Sequence, residues 1–308
     1  MRRFGLVLLL GLLGPVAAQD DPTFARQSDV IYGRKHGVAL TMDIFRPRKG
    51  ASGSAIVFVA SGGWFSGKRL VWPRWYRPLV RRGHTVFAVM HGSQPKYTIP
   101  EMIPDIHRAV RHIRHHAKAL GIDPQRIGIM GASAGGHLSL LLATDAKTGK
   151  GGDPVDGTSS RVQAVAAFYP PTDFLNWGAE GINVTKLPVH ARFKAPFDFQ
   201  RFDEETGVYV RITDPAERDK LLAELSPAHH ATPDDPPTLL IHGDRDTLVP
   251  LQQSRRMVAR LEKAGVEAKL VVKEGGAHGW RGMDRDLDAV ADWFVQHLAP
   301  RKPAPAGK

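Results

Sequence analysis

The stretch IGIMGASAGGHLSLLLA at residues 127–143 combines a short apolar run, a glycine-rich turn and a second apolar run. This order predicts a buried strand that turns sharply into a helix, with Ser133 at the apex of the turn. Gly131 and Gly135 would let the strand and helix backbones pass close together. Because such a turn projects the serine hydroxyl beyond the end of a sheet, we predict that Ser133 is a nucleophile. The alternative interpretation is a glycine-rich turn whose serine has no chemical role.

Strand-like and helix-like segments alternate along most of the chain. Helical periodicity is clearest at residues 100–119 and 284–298, where apolar residues recur every three or four positions. The alternation predicts an α/β fold with a mostly parallel, doubly wound sheet. Residues 30–32 and 39–45 predict an antiparallel hairpin at one edge of that sheet. Apolar runs of strand length occur at residues 55–60, 85–90, 126–130, 162–169, 238–242 and 270–272.

Residues 176–225 interrupt this alternation with a segment that mixes aromatic and charged side chains. Long insertions into a compact domain often act as lids over a functional site. We therefore predict a small cap over the site at residues 176–225. The alternative is a surface excursion that covers only its own aromatic side chains.

A serine hydroxyl needs a base to remove its proton and an acid to orient that base. The predicted strand at residues 238–242 leads into a loop with two aspartates. We favour Asp246 as the acid and expect Asp244 to brace the turn through backbone amides. The next strand leads into the glycine-rich loop of His278, which alone among fourteen histidines has the required chain order and loop chemistry. The predicted triad is therefore Ser133, Asp246 and His278.

The turn ASGGWFSG at residues 60–67 follows a predicted strand and lies upstream of the serine. Consecutive glycines can direct bare N–H groups toward a substrate oxygen that acquires negative charge. We predict that the backbone N–H groups of Gly62, Gly63 and Ala134 form this oxyanion hole. Trp64 in the same turn, and His91 at the end of another predicted strand, are candidate substrate-binding residues.

The spacing of the other histidines does not match that of metal ligands. His112, His115 and His116 share a predicted helix, but no carboxylate or cysteine accompanies them at ligand spacing, so a solvated helix surface is favoured. His137 follows Ser133 by four residues and is predicted to be a packed, hydrogen-bonded core histidine. We expect no metal.

These motifs together resemble the α/β-hydrolase superfamily, and in particular the secreted bacterial esterase/lipase group with polysaccharide-deacetylating and feruloyl-esterase-like members. The resemblance covers residues 30–298 and includes SAGGHL at residues 133–138 and HGDRD at residues 242–246. It implies a triad of Ser133, Asp246 and His278 that hydrolyses a carboxylic ester of a small molecule or polysaccharide through an acyl-enzyme, without a metal or organic cofactor.

The oxyanion turn departs from the pattern of that group, which usually reads His-Gly-Gly-Gly-Trp. This chain has Ala60 in place of the histidine and Ser61 in place of the first glycine. Because the histidine normally braces the turn, the resemblance implies that bracing comes from other residues here.

Two other functions remain open at this stage. A serine peptidase resembling the prolyl oligopeptidases is the first, although those enzymes usually carry a large N-terminal propeller and only a short hairpin precedes the sheet here. The second is a non-catalytic binding protein on a hydrolase scaffold, which the altered oxyanion turn favours and the complete triad disfavours. The sequence does not predict an oligomeric state.

The first eighteen residues combine a basic start, an apolar run and small residues, which is typical of a secretory signal peptide. We predict cleavage after Ala18 and a secreted or periplasmic protein, with one catalytic domain at residues 19–299 and a disordered tail at residues 300–308. The apolar run is short for a membrane span, so we expect no stable membrane insertion; an uncleaved anchor is the alternative.

The charge distribution and the cysteine content argue against nucleic-acid binding and against disulfide or thiol chemistry. The net charge is +11, but the basic residues are spread out and lack the basic and aromatic clustering of a nucleic-acid surface. The sequence contains no cysteine, which excludes disulfide bonds and thiol chemistry.

Overall fold

The structure, a computed structural model, describes residues 21–146 and 152–300. The predicted signal peptide, and the predicted tail beyond Pro300, lie outside the described residues. Within them, eight strands form the main sheet: β1 (Phe24–Lys35), β2 (Val38–Pro47), β3 (Ala55–Val59), β4 (Thr85–Val89), β5 (Ile127–Ala132), β6 (Ala164–Phe168), β7 (Thr238–Gly243) and β8 (Ala268–Lys273).

The strand order across the sheet is β1-β2-β4-β3-β5-β6-β7-β8. Strand β2 pairs antiparallel with β1 and β4, whereas every pairing from β4 to β8 is parallel. Both the mostly parallel sheet and the antiparallel edge hairpin are therefore confirmed. The hairpin is longer than its sequence pattern indicates, because its turn is confined to His36 and Gly37.

Helices cover both faces of the sheet, as buried parallel strands require. Those of the described part are α1 (Pro73–Arg81), α2 (Ile99–His115), α3 (Ala117–Leu120), α4 (Ala134–Thr144), α5 (Pro215–Glu224), α6 (Gln252–Lys263) and α7 (Asp286–His297). One hydrophobic cluster joins the sheet to α2, α4 and α6, and a second joins its other face to α1 and α7. Strands β3 to β7 are consequently buried along their whole length.

Helix α2 shows how the local sequence sets an element boundary. Thr98 and Glu101 form a capping box at its N-terminus, which satisfies backbone N–H groups that the helix leaves free. The predicted helix at residues 100–119 is divided at His116 into α2 and the short α3, and Gly121 ends α3 in the left-handed conformation.

The segment at residues 176–225 contains little regular structure before α5. It includes the short 3₁₀ helices Val184–Lys186, Pro188–Arg192 and Ala195–Phe197, and a two-stranded hairpin of Gln200–Asp203 and Val208–Arg211. Phe197 and Phe199 are buried, which anchors the segment to the main core. No helix among the described residues is both long and apolar enough to cross a membrane.

Candidate active site

Ser133 lies between the end of β5 and the start of α4, with φ 52° and ψ −122°. A positive φ is uncommon for a residue with a side chain and indicates a strained turn. A Cβ added to Gly131 would lie 2.5 Å from the Gly135 carbonyl oxygen, and one added to Gly135 would lie 2.5 Å from the Val59 carbonyl oxygen. The backbones therefore pass so closely that both positions require glycine.

His278 links the serine to a carboxylate. Its Nε2 lies 2.9 Å from Ser133 Oγ, and its Nδ1 lies 2.7 Å from Asp246 Oδ2. An ionised carboxylate only accepts hydrogen bonds, so Nδ1 donates to Asp246 and Nε2 is left to accept the serine proton. The three side chains follow the carboxyl ends of β5, β7 and β8. Because these strands are parallel, their carboxyl ends lie on the same side of the sheet.

The carboxylate of Asp246 is held by several hydrogen-bond donors. Its Oδ1 accepts the backbone N–H groups of Leu248 and Val249, each at 2.9 Å. Burial alone would raise the pKa of Asp246, but hydrogen bonds from His242, His278 and the Val249 amide hold it well below its usual range. Asp246 is therefore ionised wherever His278 can act as a base.

Asp244 connects the aspartate loop to the histidine loop. Its Oδ1 accepts the Gly275 backbone N–H at 2.7 Å, and the Arg245 N–H donates to the Gly276 carbonyl at 2.8 Å. Asp244 thus bonds to a backbone amide as expected, but the amide belongs to the neighbouring loop rather than to its own turn.

Tyr169, directly after β6, is a site residue that the sequence analysis missed. Its ring centroid lies 4.4 Å from that of His278, and its φ is 38°. Burial raises the pKa of its phenol, so Tyr169 stays neutral against the imidazole. The sequence places Tyr169 within a predicted strand, and no local pattern indicates that it turns toward His278.

The predicted oxyanion donors occupy two backbone segments. Ala134 is the first residue of α4, where a helix leaves its N–H groups without an internal acceptor. Gly62 belongs to a small hairpin whose strands are Ser61–Gly62 and Phe65–Ser66. Gly63 lies in the turn of this hairpin and has a φ of 54°.

Polar side chains brace the oxyanion turn at residues 60–67, in which the esterase/lipase group has a histidine at the position of Ala60. Ser66 Oγ donates to the Ala60 carbonyl at 2.8 Å and accepts the His91 backbone N–H at 3.0 Å. Ser93 Oγ accepts the Ser66 N–H at 3.0 Å, and the Gln94 side chain donates to a carbonyl of the turn, that of Gly63. Ser66, Ser93 and Gln94 therefore hold the turn in the absence of the histidine that Ala60 replaces.

An apolar cavity of about 30 Å³ opens beside Ser133. Part of its wall comes from the segment at residues 176–225, where Phe193 packs so closely on Gly63 that an added Cβ would lie 2.6 Å from the Phe193 ring. The wall also carries His190, whose Nε2 is buried without a hydrogen-bond partner among the described residues. The other lining residues include Trp64, Phe174, Trp177, Val184, Phe197 and Leu248.

Trp64 and His91 differ in their position relative to this cavity. Trp64 lines it, and its Nε1 donates to His137 Nδ1 at 3.3 Å. His137 is fully buried and also hydrogen-bonds the Leu225 carbonyl, which confirms the predicted core histidine. His91 is not among the described residues that line the cavity; it is buried, with Nδ1 2.7 Å from the Gly92 carbonyl.

The remaining histidine cluster lies on α2 and at its end. The rings of His112 and His116 are 4.5 Å apart, and those of His115 and His116 are 4.8 Å apart. No group of three or more histidine, aspartate or glutamate side chains suited to a metal ion occurs in residues 21–146 and 152–300.

The sequence matches two models of known protein families. The model of the BD-FAE family matches residues 42–261, and a second model, described as TAP-like protein, matches residues 222–302. The chain belongs to the BD-FAE family. Its sheet order and the placement of the serine, aspartate and histidine loops make it an α/β-hydrolase.

This BD-FAE family member is similar to several proteins named as esterases. It is 31% identical to the probable carboxylic ester hydrolase LipM of Mycobacterium tuberculosis, over 78% of this chain and 52% of that protein. The chain thus spans about half the length of this curated relative.

Two solved structures share the fold over most of both chains. A truncated carbohydrate esterase from gut microbiota has a TM-score of 0.75 and 25% identity, with 91% of this chain and 99% of that chain covered. A thermophilic esterase from Thermogutta terrifontis has a TM-score of 0.67 and 26% identity, with 90% and 93% covered.

Proposed function

We propose that this BD-FAE family member hydrolyses carboxylic esters through an acyl-enzyme formed on Ser133. The observation that carries the proposal is the continuous hydrogen-bond chain from Ser133 through His278 to Asp246 beside an apolar cavity. The relatives named as esterases support the reaction class. The neighbour named as a carbohydrate esterase supports an acylated carbohydrate as one substrate class.

Acylation starts when His278 Nε2 takes the Ser133 proton while Oγ attacks the ester carbonyl carbon. The negative charge on the carbonyl oxygen is met by the backbone N–H groups of Ala134, Gly62 and Gly63. The intermediate collapses when His278 gives its proton to the leaving alcohol, which leaves the acyl group on Ser133. Asp246 fixes the tautomer of His278 and stabilises the imidazolium that forms between these steps.

Deacylation repeats the sequence with water. His278 removes a proton from water as its oxygen attacks the acyl carbon, and the carboxylic acid leaves as Ser133 regains its proton. Each step uses only side chains and backbone groups of the site together with the water molecule that is the second substrate. The proposed reaction therefore needs neither a metal nor an organic cofactor.

The size of the cavity favours a short acyl group. Its volume is only about 30 Å³, and its lining is almost entirely apolar. Phe193 and Phe197 limit its extension on one side. We therefore expect an acetyl group to need less rearrangement of these rings than a longer acyl chain.

We also propose that residues 1–18 direct export and that the enzyme acts outside the cytoplasm, on the strength of the sequence pattern alone. Cleavage is tested by the N-terminal sequence and intact mass of protein expressed with residues 1–18. A mature protein that begins at Gln19 would support export with cleavage after Ala18, and retention of the first eighteen residues would contradict it.

The deciding experiment for ester hydrolysis compares the wild type with Ser133→Ala on p-nitrophenyl acetate, butyrate and octanoate, and on a p-nitroanilide. We expect ester turnover that falls with acyl length and drops on the order of a millionfold in Ser133→Ala. Brief exposure to p-nitrophenyl acetate, followed by a shift to low pH and intact-mass measurement, should show one acetyl group on the wild type and none on Ser133→Ala.

Two results would redirect the assignment. Turnover of the anilide in preference to the esters would favour the peptidase alternative. Equal, background-level turnover by folded wild type and Ser133→Ala would contradict catalysis and favour a binding protein on a hydrolase scaffold.

A further inference from the structure

Phe168, the last residue of β6, and Tyr169 after it contact all three chain segments that carry the triad. The Phe168 carbonyl accepts the Ser133 backbone N–H at 2.9 Å. The Tyr169 N–H donates to the Ile241 carbonyl at 2.8 Å, in strand β7, which leads into the aspartate loop. The Tyr169 ring reaches the histidine loop, where its centroid lies 4.4 Å from that of His278. Contacts with two triad segments therefore place this ring against the base on the third.

The backbone of Tyr169 leaves the strand conformation exactly where the ring meets His278. Its φ of 38° is rare for a bulky side chain and persists only where surrounding contacts hold it. A regular strand would direct the side chain to one of the two faces that helices cover. The turn at Tyr169 instead brings its ring to the carboxyl end of the sheet, where His278 lies.

The histidine loop packs two of its rings on Tyr169. The His278 ring is tilted by 53° to it, and the Trp280 ring stands at 84° to it with the centroids 5.8 Å apart. Gly279 between them has a φ of 111°, a conformation that favours glycine. Trp280 Nε1 donates to Asp286 Oδ2 at 2.7 Å, which anchors the loop to the start of α7. The Tyr169 ring thus packs against an anchored indole as well as against the imidazole.

His278 depends on this contact because its side chain is partly open to solvent. The side chain is 22% exposed, and its hydrogen bonds to Ser133 and Asp246 hold the two nitrogens. Within residues 21–146 and 152–300, Tyr169 contributes the one aromatic ring that packs on the imidazole. In the proposed reaction both hydrogen bonds change as the proton moves from Ser133 Oγ to Nε2, whereas the contact with a neutral ring persists.

The Tyr169 ring also meets the positive charge that forms on His278. An aromatic ring attracts a cation within about 6 Å of its centroid, and the imidazole centroid lies well inside that range, at 4.4 Å. Burial raises the pKa of the Tyr169 phenol, so the ring adds this attraction without a full negative charge of its own. Of the ionisable groups on the neighbouring elements, Asp246 bonds to His278 Nδ1, and His242 lies behind Asp246 with Nε2 3.3 Å from Oδ2.

We propose that Tyr169 is a positioning residue for His278: its ring holds the imidazole between Ser133 and Asp246 and stabilises the imidazolium that forms in each half of ester hydrolysis. The catalytic consequence rests on the proposed esterase function, whereas the effect on the imidazole is measurable without turnover. The role belongs to the aromatic ring rather than to the hydroxyl. Phenylalanine should therefore replace Tyr169, and an aliphatic side chain should not.

The first test follows the His278 ring by NMR in Ser133→Ala protein, without substrate, and compares Tyr169 with Tyr169→Phe and Tyr169→Leu. The ring-current shift of the His278 C–H signals should remain with phenylalanine and disappear with leucine. Because leucine no longer attracts the imidazolium, the pH midpoint of the His278 signals should be lower by about half a pH unit in Tyr169→Leu. Tyr169→Met, which is also unbranched and not aromatic, repeats the comparison should the leucine variant fail to fold.

The matched control for this test is Tyr76→Leu. Tyr76 is a buried tyrosine of α1 whose ring packs on Phe45 and Phe58, so its loss should reduce stability without moving the His278 signals. Identical ring-current shifts and midpoints with tyrosine, phenylalanine and leucine at position 169 would overturn the proposal. A midpoint change in Tyr76→Leu as large as that in Tyr169→Leu would overturn it as well, since general loss of stability would then explain both.

The kinetic test measures p-nitrophenyl acetate hydrolysis with Ser133 in place. We expect Tyr169→Leu to lower kcat about tenfold or more with little change in KM, because the base is displaced while the substrate cavity is intact. The acid limb of the kcat/KM profile should move to lower pH by the same half unit or so, and Tyr169→Phe should restore both properties. Equal losses in the two variants with an unmoved acid limb would overturn the positioning role. Absence of ester turnover by the wild type would overturn the esterase function instead, and the NMR comparison would still decide the effect of Tyr169 on His278.

Discussion

Gly243 packs directly on the backbone of Gly276, which holds the aspartate loop against the histidine loop. A Cβ added to Gly243 would lie 2.6 Å from the Ala277 carbonyl oxygen and would overlap the Gly276 carbonyl group. Asp246 follows Gly243 by three residues, and His278 follows Gly276 by two. The distance of 2.7 Å between Asp246 Oδ2 and His278 Nδ1 therefore depends on this contact between backbones.

A methyl group at this contact should displace the base. We expect Gly243→Ala to lower kcat for p-nitrophenyl acetate by about a hundredfold, because ångström-scale misplacement of catalytic groups has that cost. Overpacking should also lower the free energy of unfolding by about 1–3 kcal/mol. Gly152→Ala is the control, since its added Cβ meets no non-neighbouring atom of the described residues within 4 Å. Wild-type kcat in Gly243→Ala would show that the contact does not set the geometry.

The two aspartates of the same loop should differ sharply in their effect on catalysis. Asp246→Asn keeps the shape but can present an amide N–H to His278, which favours the wrong tautomer; kcat should fall by about 10⁴. Asp244→Asn keeps an oxygen that can accept the Gly275 N–H and should change kcat by less than about tenfold. Steady-state kinetics of both variants on one ester provide the measurement, and similar losses in the two would contradict the assigned roles.

The residues that could be predicted from sequence are those set by local patterns. The elbow around Ser133, and the loops of Asp246 and His278, each follow a short apolar strand, and the parallel sheet brings strand ends together without further information. The same reasoning predicted the α/β fold and the edge hairpin. Gly131 and Gly135 were identifiable because the sharp turn itself requires small residues.

The contacts that escaped prediction join segments far apart in the chain. Ser66, Ser93 and Gln94 replace the absent histidine at Ala60 only because β3 and β4 are neighbours in the sheet. Tyr169 reaches His278 through a turn with positive φ that its flanking sequence does not mark. The hairpin of Gln200–Asp203 and Val208–Arg211 lacks strong alternation, since its residues are largely exposed on both faces.

The brace of the oxyanion turn can be tested at Ser66. Ser66→Ala removes the donor to the Ala60 carbonyl and the acceptor for the His91 N–H. Each group left unpaired in the interior costs about 1–3 kcal/mol, so we expect a lower free energy of unfolding and a fall in kcat of about tenfold or more. Ser61→Ala is the matched control, because the Ser61 hydroxyl is buried without a partner among the described residues. Equal effects of the two substitutions would contradict the bracing role.

Phe193 should restrict the length of the acyl group. Phe193→Ala removes a ring from the cavity wall beside Gly63, so we expect the ratio of octanoate to acetate kcat/KM to rise by about tenfold, as expected for added apolar contact. Ile182→Ala on the same segment is the control, since Ile182 is 40% exposed and is not among the residues that line the cavity. Parallel activity profiles across the p-nitrophenyl series for wild type and Phe193→Ala would contradict this role.

Buried histidines should make the fold sensitive to mild acid. Burial lowers the pKa of His84, His91 and His137 from 6.5 to about 4. Each regains an ordinary pKa of about 6.5 in the unfolded chain. Between pH 6.5 and pH 4 the unfolded chain therefore binds more protons than the folded chain, and the free energy of unfolding falls as the pH falls.

His84 tests this effect without disturbing the catalytic groups. It precedes the amino end of β4, whereas Ser133 follows the carboxyl end of β5, so the two lie at opposite ends of the parallel strands. Urea unfolding of the wild type and His84→Gln between pH 8 and pH 4.5 should give parallel curves above about pH 7.5. Below pH 6.5 the variant should lose stability less steeply, by up to about 1.4 kcal/mol per pH unit for the one proton it no longer takes up on unfolding. Curves that stay parallel down to pH 4.5 would show that His84 is not held neutral by burial.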